Sequence, residues 1–251
     1  MIREQKTRNN FNPIYLKRAW KDFDRVAVVR ESLKPTCIEF FPKVESKLVT
    51  VHNTIDLDAY SLKSGEPLEE QIEDKVAIDD LVDTNLIKII TIGRLSPEKG
   101  HLRLITAFEK AAIDNEALRL YIVGGHGKSE ELLVNRIEDS IVKDKIHLVT
   151  TVSNPYPLLK FSDGFILSSF YEGLPMVFSE AVMAGVPIVS VSIDGPTEFL
   201  NQGFGKVVSN SVTGIYDGIT MLANKEVKPA SLVKLSEFNS NALTEFDDIL
   251  K

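Results

Sequence analysis

The 251 residues carry 36 acidic against 29 basic groups, and the resulting charge of −7 at neutral pH argues against a nucleic-acid binder. A hydrophobic content of 43% is enough for a core, no apolar run approaches the roughly 20 residues of a bilayer span, and MIREQKTRNN lacks the apolar stretch of a secretory signal. Cys37 has no partner for an internal disulfide, and neither it nor the four scattered histidines has metal-ligand spacing, so a cytoplasmic setting is expected.

In chain order, the first 34 residues hold nine Lys/Arg against four acids. This basic segment is either a solvated helix face or a peripheral contact with anionic lipid at the inner face of a membrane. Two apolar strands follow, around Arg25–Arg30 and Leu48–His52, with a helix over Glu31–Pro42 between them. One such strand–helix–strand unit cannot cover both faces of its own sheet, so 1–56 reads as the end of a larger domain. Residues 57–85 crowd Glu66, Glu69, Glu70, Glu73, Asp74, Asp79, Asp80 and Asp83 and show no clear core pattern. They read as an acidic surface linker with some helix.

From Leu86 the pattern changes. Short β-branched runs recur at Ile87–Ile92, Leu118–Val123, Ile146–Val149, Phe165–Leu167, Ile188–Ile193 and Lys206–Val208. Helical patterns over Leu102–Ala112, Glu130–Val142 and Met176–Ala184 separate most of them, and two more, Val212–Ala223 and Leu235–Leu250, close the chain. Strands apolar on both faces that alternate with helices predict an α/β domain over 86–251, a Rossmann-like parallel sheet with helices on both faces.

In such a sheet, ligands bind beyond the carboxyl ends of the strands. There the sequence places Gly93-Arg94-Leu95-Ser96-Pro97-Glu98-Lys99-Gly100, Gly124-Gly125-His126-Gly127, Thr150-Thr151-Val152-Ser153-Asn154, the run from Ser168 to Pro175, and Asp194-Gly195-Pro196. Arg94 and Lys99 flank a turn that opens a helix, which suits a diphosphate, although each is also acceptable as a surface cation. The glycines permit close approach of a ligand to the backbone. Neither glycine turn supplies the dinucleotide fingerprint, and Gly127-Lys128-Ser129 ends like a P-loop whose first glycine would fall at Ile122. Pro175 is expected at the first turn of a helix that Gly185 ends. Glu172 before that helix and Glu180 within it can both face the crevice, where carboxylates accept hydrogen bonds from sugar and ribose hydroxyls.

These residues resemble the retaining GT-B glycosyltransferases of family 4 (glycosyl transferases group 1). Glu172 and Glu180 within EGLPMVFSEAVMAGVPIV match that family's E-x7-E motif, GRLSPEKG its Arg/Lys diphosphate loop, and VGGHG resembles its second glycine turn. Residues 24–56 resemble the last strand–helix–strand of the family's N-terminal domain, and the helix around Ser236–Leu250 resembles the one that crosses back to it. The rest of that N-terminal domain is expected to be absent from this chain. Departures are Thr150 for the usual glycine, Asp194-Gly195-Pro196 for a double glycine, and Gly205–Asn210 without a proline-rich loop.

The resemblance implies roles. Glu172, Arg94 and Lys99 would be catalytic, with the two cations holding the donor diphosphate and Glu172 the donor-sugar hydroxyls. Gly93, Gly124, Gly125, Thr151, Val152, Gly173, Leu174, Pro175 and Glu180 would line the donor, with Glu180 on the ribose and Thr151–Ser153 at the base. No metal or other cofactor would be required, because cations and helix dipoles offset the leaving diphosphate. Asp56-Leu57-Asp58 has the metal-binding form of an unrelated glycosyltransferase fold and reads as coincidence.

The implied activity is transfer of a hexose, with retention, from a nucleotide-sugar (UDP-sugar by default) to a glycan or lipid-linked acceptor. NPYPLLK and SSFYEGLPMV resemble bacterial capsule and teichoic-acid transferases, which points to the cell envelope. A truncated or split-subunit donor-binding module, served by a separate N-terminal-domain subunit, is the alternative. A sugar-nucleotide epimerase or a sucrose/glycogen-type synthase would use the same architecture.

Overall fold

The computed structural model describes residues 22–150 and 152–250. The basic residues from Arg3 to Lys21, where the lipid contact was placed, lie outside the described residues, as does Thr151.

Among the described residues the strands form two parallel sheets. In the first, β1 (Val26–Val28) pairs with β2 (Leu48–Thr50), with helix α1 (Lys34–Phe40) between them. A helix α2 (Leu57–Lys63) and a helix α3 (Lys75–Val82) lead to the second sheet. That sheet holds β3 (Ile87–Ile92), β4 (Leu118–Val123), β5 (Ile146–Val149), β6 (Gly164–Leu167), β7 (Ile188–Val191) and β8 (Lys206–Val208). Between its strands lie α4 (His101–Asp114), α5 (Glu130–Glu138), α6 (Tyr156–Lys160), α7 (Met176–Met183) and α8 (Asp194–Phe199). Helices α9 (Val212–Ala223) and α10 (Leu232–Ile249) end the described chain.

The six strands run in the order β5-β4-β3-β6-β7-β8, all parallel. This is the doubly wound arrangement, and its strand order reverses between β3 and β6. Alternate residues of each strand bury on opposite faces. Ile89, Leu120, Ile122, Ile166 and Val189 join a core with α4, α5 and α9, while Ile90, Tyr121, Val123, Phe165 and Ile188 join one with α7, α8 and α10. Both faces must be apolar for that, which is why these strands read as continuous β-branched runs and not as alternating ones.

Residues 57–85 differ from the expected surface linker. Leu68, Ile72, Ala77 and Leu81 are buried in the α7-side core, the last with none of its surface exposed. Helix α3 starts at Asp74, whose side chain accepts from the N–H groups of Val76 and Ala77. It is pinned to the sheet by three polar contacts. Tyr121 donates its hydroxyl to the Ala77 carbonyl (2.7 Å), and Asp80 pairs with Arg119 (2.6 Å) and His147 (3.0 Å). The density of carboxylates hid an ordinary i, i+4 apolar stripe, Ala77 and Leu81, behind acids that face water.

Helix α7 ends as expected. Gly185 has φ of +71°, and the N–H groups of Gly185 and Val186 return to the carbonyls of Val182 and Ala181. Pro175 sits one residue earlier than expected, as the N-cap and not the first helical residue.

The last helix reaches back to the first sheet. Asn239 on α10 exchanges hydrogen bonds with the backbone of Ile55 (2.9 and 3.3 Å), and Glu245 takes the N–H (3.0 Å) and the Nδ1 (2.9 Å) of His52.

Candidate functional site at the sheet switch point

The loops after β3 and β6 meet at the switch point. After β3 the chain turns through a short 3-10 segment, Pro97–Lys99, into α4, with Gly100 at φ +67°. Glycine suits this position on two counts, since the backbone is left-handed and a Cβ would stand 2.2 Å from the Ser168 carbonyl oxygen of the β6 loop. Ser168 donates its hydroxyl to the Lys99 carbonyl (3.0 Å), and the Phe170 N–H donates to the Glu98 carbonyl (2.8 Å). The two loops are therefore one bonded unit.

That unit brings Lys99 to Glu172. The Lys99 ammonium donates to Glu172 Oε1 at 2.6 Å, and the Ser169 hydroxyl donates to the same oxygen at 2.7 Å. Their side chains keep 18% and 14% of their surface exposed, so the pair is sheltered but open to a ligand. Gly93 lies beneath it, since a Cβ on Gly93 would be 3.3 Å from Lys99 Cε. Gly124 backs Gly93 in turn, with room for no side chain against the Gly93 carbonyl.

Arg94 is placed differently. Its side chain is 78% exposed and pairs with Glu98 at 3.7 Å. It lines an open groove of about 790 Å³ together with His126, Lys128, Phe170 and Tyr171. Gly125 and Gly173 have nothing within 4 Å of a notional Cβ, so both present bare backbone to open space.

Glu180 lies one helix turn and more from Glu172. Burial raises the pKa of its carboxyl, a shift that a hydrogen bond from the Tyr156 hydroxyl partly offsets. Leu174 and Val152 are half-buried and pack against the α7-side core, and Pro175 caps α7 beside them. The loop carrying Val152 is held by the 57–85 segment. Gln71 Oε1 accepts from the Ser153 hydroxyl (3.0 Å) and the Asn154 N–H (2.9 Å), and Asn154 Nδ2 donates to the Lys63 carbonyl (2.8 Å).

Three side chains here were missed by sequence reading. Arg103 donates to the carbonyls of Ser168 and Ser169 (2.8 Å each) and to Asn210 Oδ1 (2.7 Å), while its guanidinium sits 4.0 Å over the Phe170 ring. Its partners are 65 or more residues away, so no local signal marks it. Tyr156 likewise meets Glu180 only through the fold. Ser169 was legible in principle, because Ser-x-x-Glu places its hydroxyl within reach of Glu172.

Chemically, the arrangement offers a sheltered ammonium–carboxylate pair, bare backbone on two glycine turns and a second carboxylate deeper in the crevice. That set can accept hydroxyls and donate to phosphate oxygens. The strand order, with these loops at its switch point, is that of a doubly wound α/β domain whose ligand crevice lies beyond the carboxyl ends of its strands.

The comparisons agree. The pattern of the family described as glycosyl transferases, group 1, matches residues 74–237, and the chain belongs to that family. An uncharacterized glycosyltransferase of Methanocaldococcus jannaschii is 30% identical over 182 residues, covering 72% of this chain and 43% of that protein. The Escherichia coli UDP-Gal:alpha-D-GlcNAc-diphosphoundecaprenol alpha-1,3-galactosyltransferase is 26% identical over 176 residues, 68% of this chain and 43% of its own. Among solved structures, HepE of Anabaena in complex with UDP superposes with a TM-score of 0.73 at 18% identity, over 94% of this chain and 65% of that one. The chain spans about half the length of the curated relatives it matches.

Proposed function

We propose that this chain binds the donor of a retaining hexosyltransferase that moves a sugar from a nucleotide-sugar to a glycan or lipid-linked acceptor of the cell envelope. The observation that carries the reading is the Lys99–Glu172 pair at the switch point of a sheet that belongs to this family. In this reading the donor diphosphate lies against the Lys99 ammonium, with Arg94 folding in from its groove. Glu172 then exchanges part of its bond with Lys99 for donor-sugar hydroxyls, and Glu180 takes the ribose.

Departure of the nucleoside diphosphate leaves charge on the phosphate, and preorganised cations and N–H groups stabilise it without a resident metal. UDP is the favoured nucleotide, because the fold neighbour HepE was solved with it and the E. coli relative is named for a UDP-sugar. The lipid-linked acceptor follows the same relative and the Campylobacter jejuni diphospho-undecaprenol N-acetylgalactosaminyltransferase, 26% identical over 197 residues.

No helix among the described residues is long and apolar enough to cross a membrane.

Calorimetric titration with UDP, GDP and ADP tests the proposal. The expected result is binding of UDP that Glu180→Ala and Arg94→Ala both weaken. A folded chain that binds none of the three would remove the donor reading.

A further inference from the structure

Arg30 stands directly after β1, where the first sheet meets the second. Only 8% of the residue is exposed, and its Nε is enclosed with no hydrogen-bond partner among the described residues. Its Nη1 donates to the Ser32 hydroxyl at 2.7 Å. The carboxylate paired with it, Asp194, stays at 3.8 Å and is itself 78% exposed. A buried guanidinium is normally matched by an anion at hydrogen-bond distance, because desolvation of the charge is otherwise uncompensated. Among the described residues no carboxylate reaches the Arg30 guanidinium at hydrogen-bond distance.

The position of the charge matters as much. Arg30 Cδ lies 3.2 Å from where a Cβ on Gly195 would be, and that same point is 1.6 Å from the Gly173 carbonyl oxygen. Stem of arginine, Gly195 and Gly173 are thus stacked with no room for a methyl group. Gly173 directly follows Glu172, the partner of Lys99. Arg30 therefore reaches the loop that carries Glu172 by way of Gly195.

A purely structural latch between the two sheets does not account for this cation, because another residue already performs that task. Glu198 on α8 accepts from the N–H groups of Glu31 (2.9 Å) and Ser32 (3.0 Å) and from the Ser32 hydroxyl. The junction is closed by a carboxylate and two backbone donors, and the guanidinium joins it only through Nη1 on the Ser32 hydroxyl, its Nε unused.

We propose that Arg30 receives a phosphate oxygen of the bound substrate, so that the crevice is closed by one cation from each wall. The inference rests on the donor-binding reading and adds to it a residue from the other sheet. The phosphate can come from the donor diphosphate or from a phosphate on the acceptor, and the chemistry of recognition is the same.

Calorimetry with four probes separates the cases: UDP, uridine, inorganic pyrophosphate and glycerol 3-phosphate, titrated into the wild type, Arg30→Gln, Asp194→Asn and Lys99→Ala. Loss of at least tenfold in UDP and pyrophosphate affinity in Arg30→Gln, with the weak uridine binding unchanged, assigns the donor phosphate. Unchanged UDP with lost glycerol 3-phosphate assigns the acceptor phosphate. Asp194→Asn keeps the fold, because its side chain is exposed, and removes the carboxylate that competes for Arg30. It is expected to tighten pyrophosphate binding about threefold, and this arm decides the matter if Arg30→Gln does not fold. Arg30→Gln within twofold of wild type for every phosphate probe overturns the inference, as does an Asp194→Asn affinity that is unchanged or weaker. UDP binding that depends on Lys99, with no phosphate probe depending on Arg30, would leave the donor reading intact and this one refuted. Pyrophosphate binding that depends on Arg30 in a chain blind to UDP would do the reverse, and a wild type that binds no probe refutes both.

Discussion

The Lys99 ammonium stands 2.6 Å from Glu172 Oε1, although 72 residues of chain separate them, and Ser169 donates to the same oxygen. The bonds hold both groups oriented in the crevice. Lys99→Ala and Glu172→Ala are each expected to weaken nucleotide-sugar binding by about 10- to 100-fold, the span of 1.5–3 kcal/mol for a hydrogen bond to a charged group. The double variant is expected to lose less than the two single losses added together. Titration of all four proteins checks this, and strict additivity would show that the pair does not act as a unit.

The glycines at the site divide into two classes that mutation can tell apart. Gly100→Ala must place a Cβ 2.2 Å from the Ser168 carbonyl at a positive φ, so it is expected to cost roughly 1–3 kcal/mol of stability and to loosen both loops. Gly125→Ala meets nothing within 4 Å and is expected to leave the melting temperature unchanged while it obstructs the donor. Equal melting shifts in the two variants would contradict this division.

Glu180 has its pKa raised by burial, so the folded chain holds that proton more tightly than the unfolded one. By linkage the group costs no stability below its ordinary pKa of about 4.5 and becomes destabilising as pH rises through the folded value. Glu180→Gln is therefore expected to be more stable than wild type at pH 7 and no more stable at pH 4. Its UDP affinity is expected to fall about tenfold, as a charged acceptor becomes a neutral one. Denaturant melts at the two pH values measure the first expectation.

His101 opens helix α4 beside Lys99, and its Nδ1 is buried with no partner among the described residues. Burial first, then the charge of Lys99, pushes its pKa down to about 4. The neutral ring is thus the folded form. Its stabilising contribution is complete above the unfolded pKa of about 6.5 and is lost as pH falls from there toward 4. The loss amounts to about 3 kcal/mol at most, from 1.36 kcal/mol per pKa unit. His101→Gln is expected to flatten the stability profile between pH 6.5 and 4, and an unchanged slope would place acid sensitivity elsewhere.

At the junction of the sheets, Glu198 would be raised in pKa by burial, yet its bonds from Ser32 and Glu31 outweigh burial and hold it below the ordinary value. Glu198→Ala is expected to cost about 1 kcal/mol, as for loss of a helix cap, and to expose 30–34 to limited proteolysis. Cleavage at the wild-type rate would mean that the α10 contacts of His52 and Ile55 hold the junction alone.

Much of this was legible in the chain. Apolar runs on both strand faces, with helical periods between them, specify a parallel doubly wound sheet, and glycines and prolines mark where its loops turn. The Glu172–Glu180 spacing and the Gly93–Gly100 loop named the crevice. Where local pattern and burial agreed, as at Gly185, the reading needed no tertiary information. At 57–85 they conflicted, because a carboxylate-rich surface obscured a stripe of only a few buried residues.

The tertiary structure alone decided which groups meet. Lys99 turned to Glu172 while Arg94, five residues away, turned to an open groove, a difference set by the bonds between two loops and not by residue type. Arg103, Tyr156 and Arg30 came to the site from distant segments, and only the packing of α4, α6 and β1 placed them there. Periodicity reports burial over a few neighbours and so determines elements and sheet. Pairing of polar groups depends on contacts across the whole chain, which no local pattern encodes.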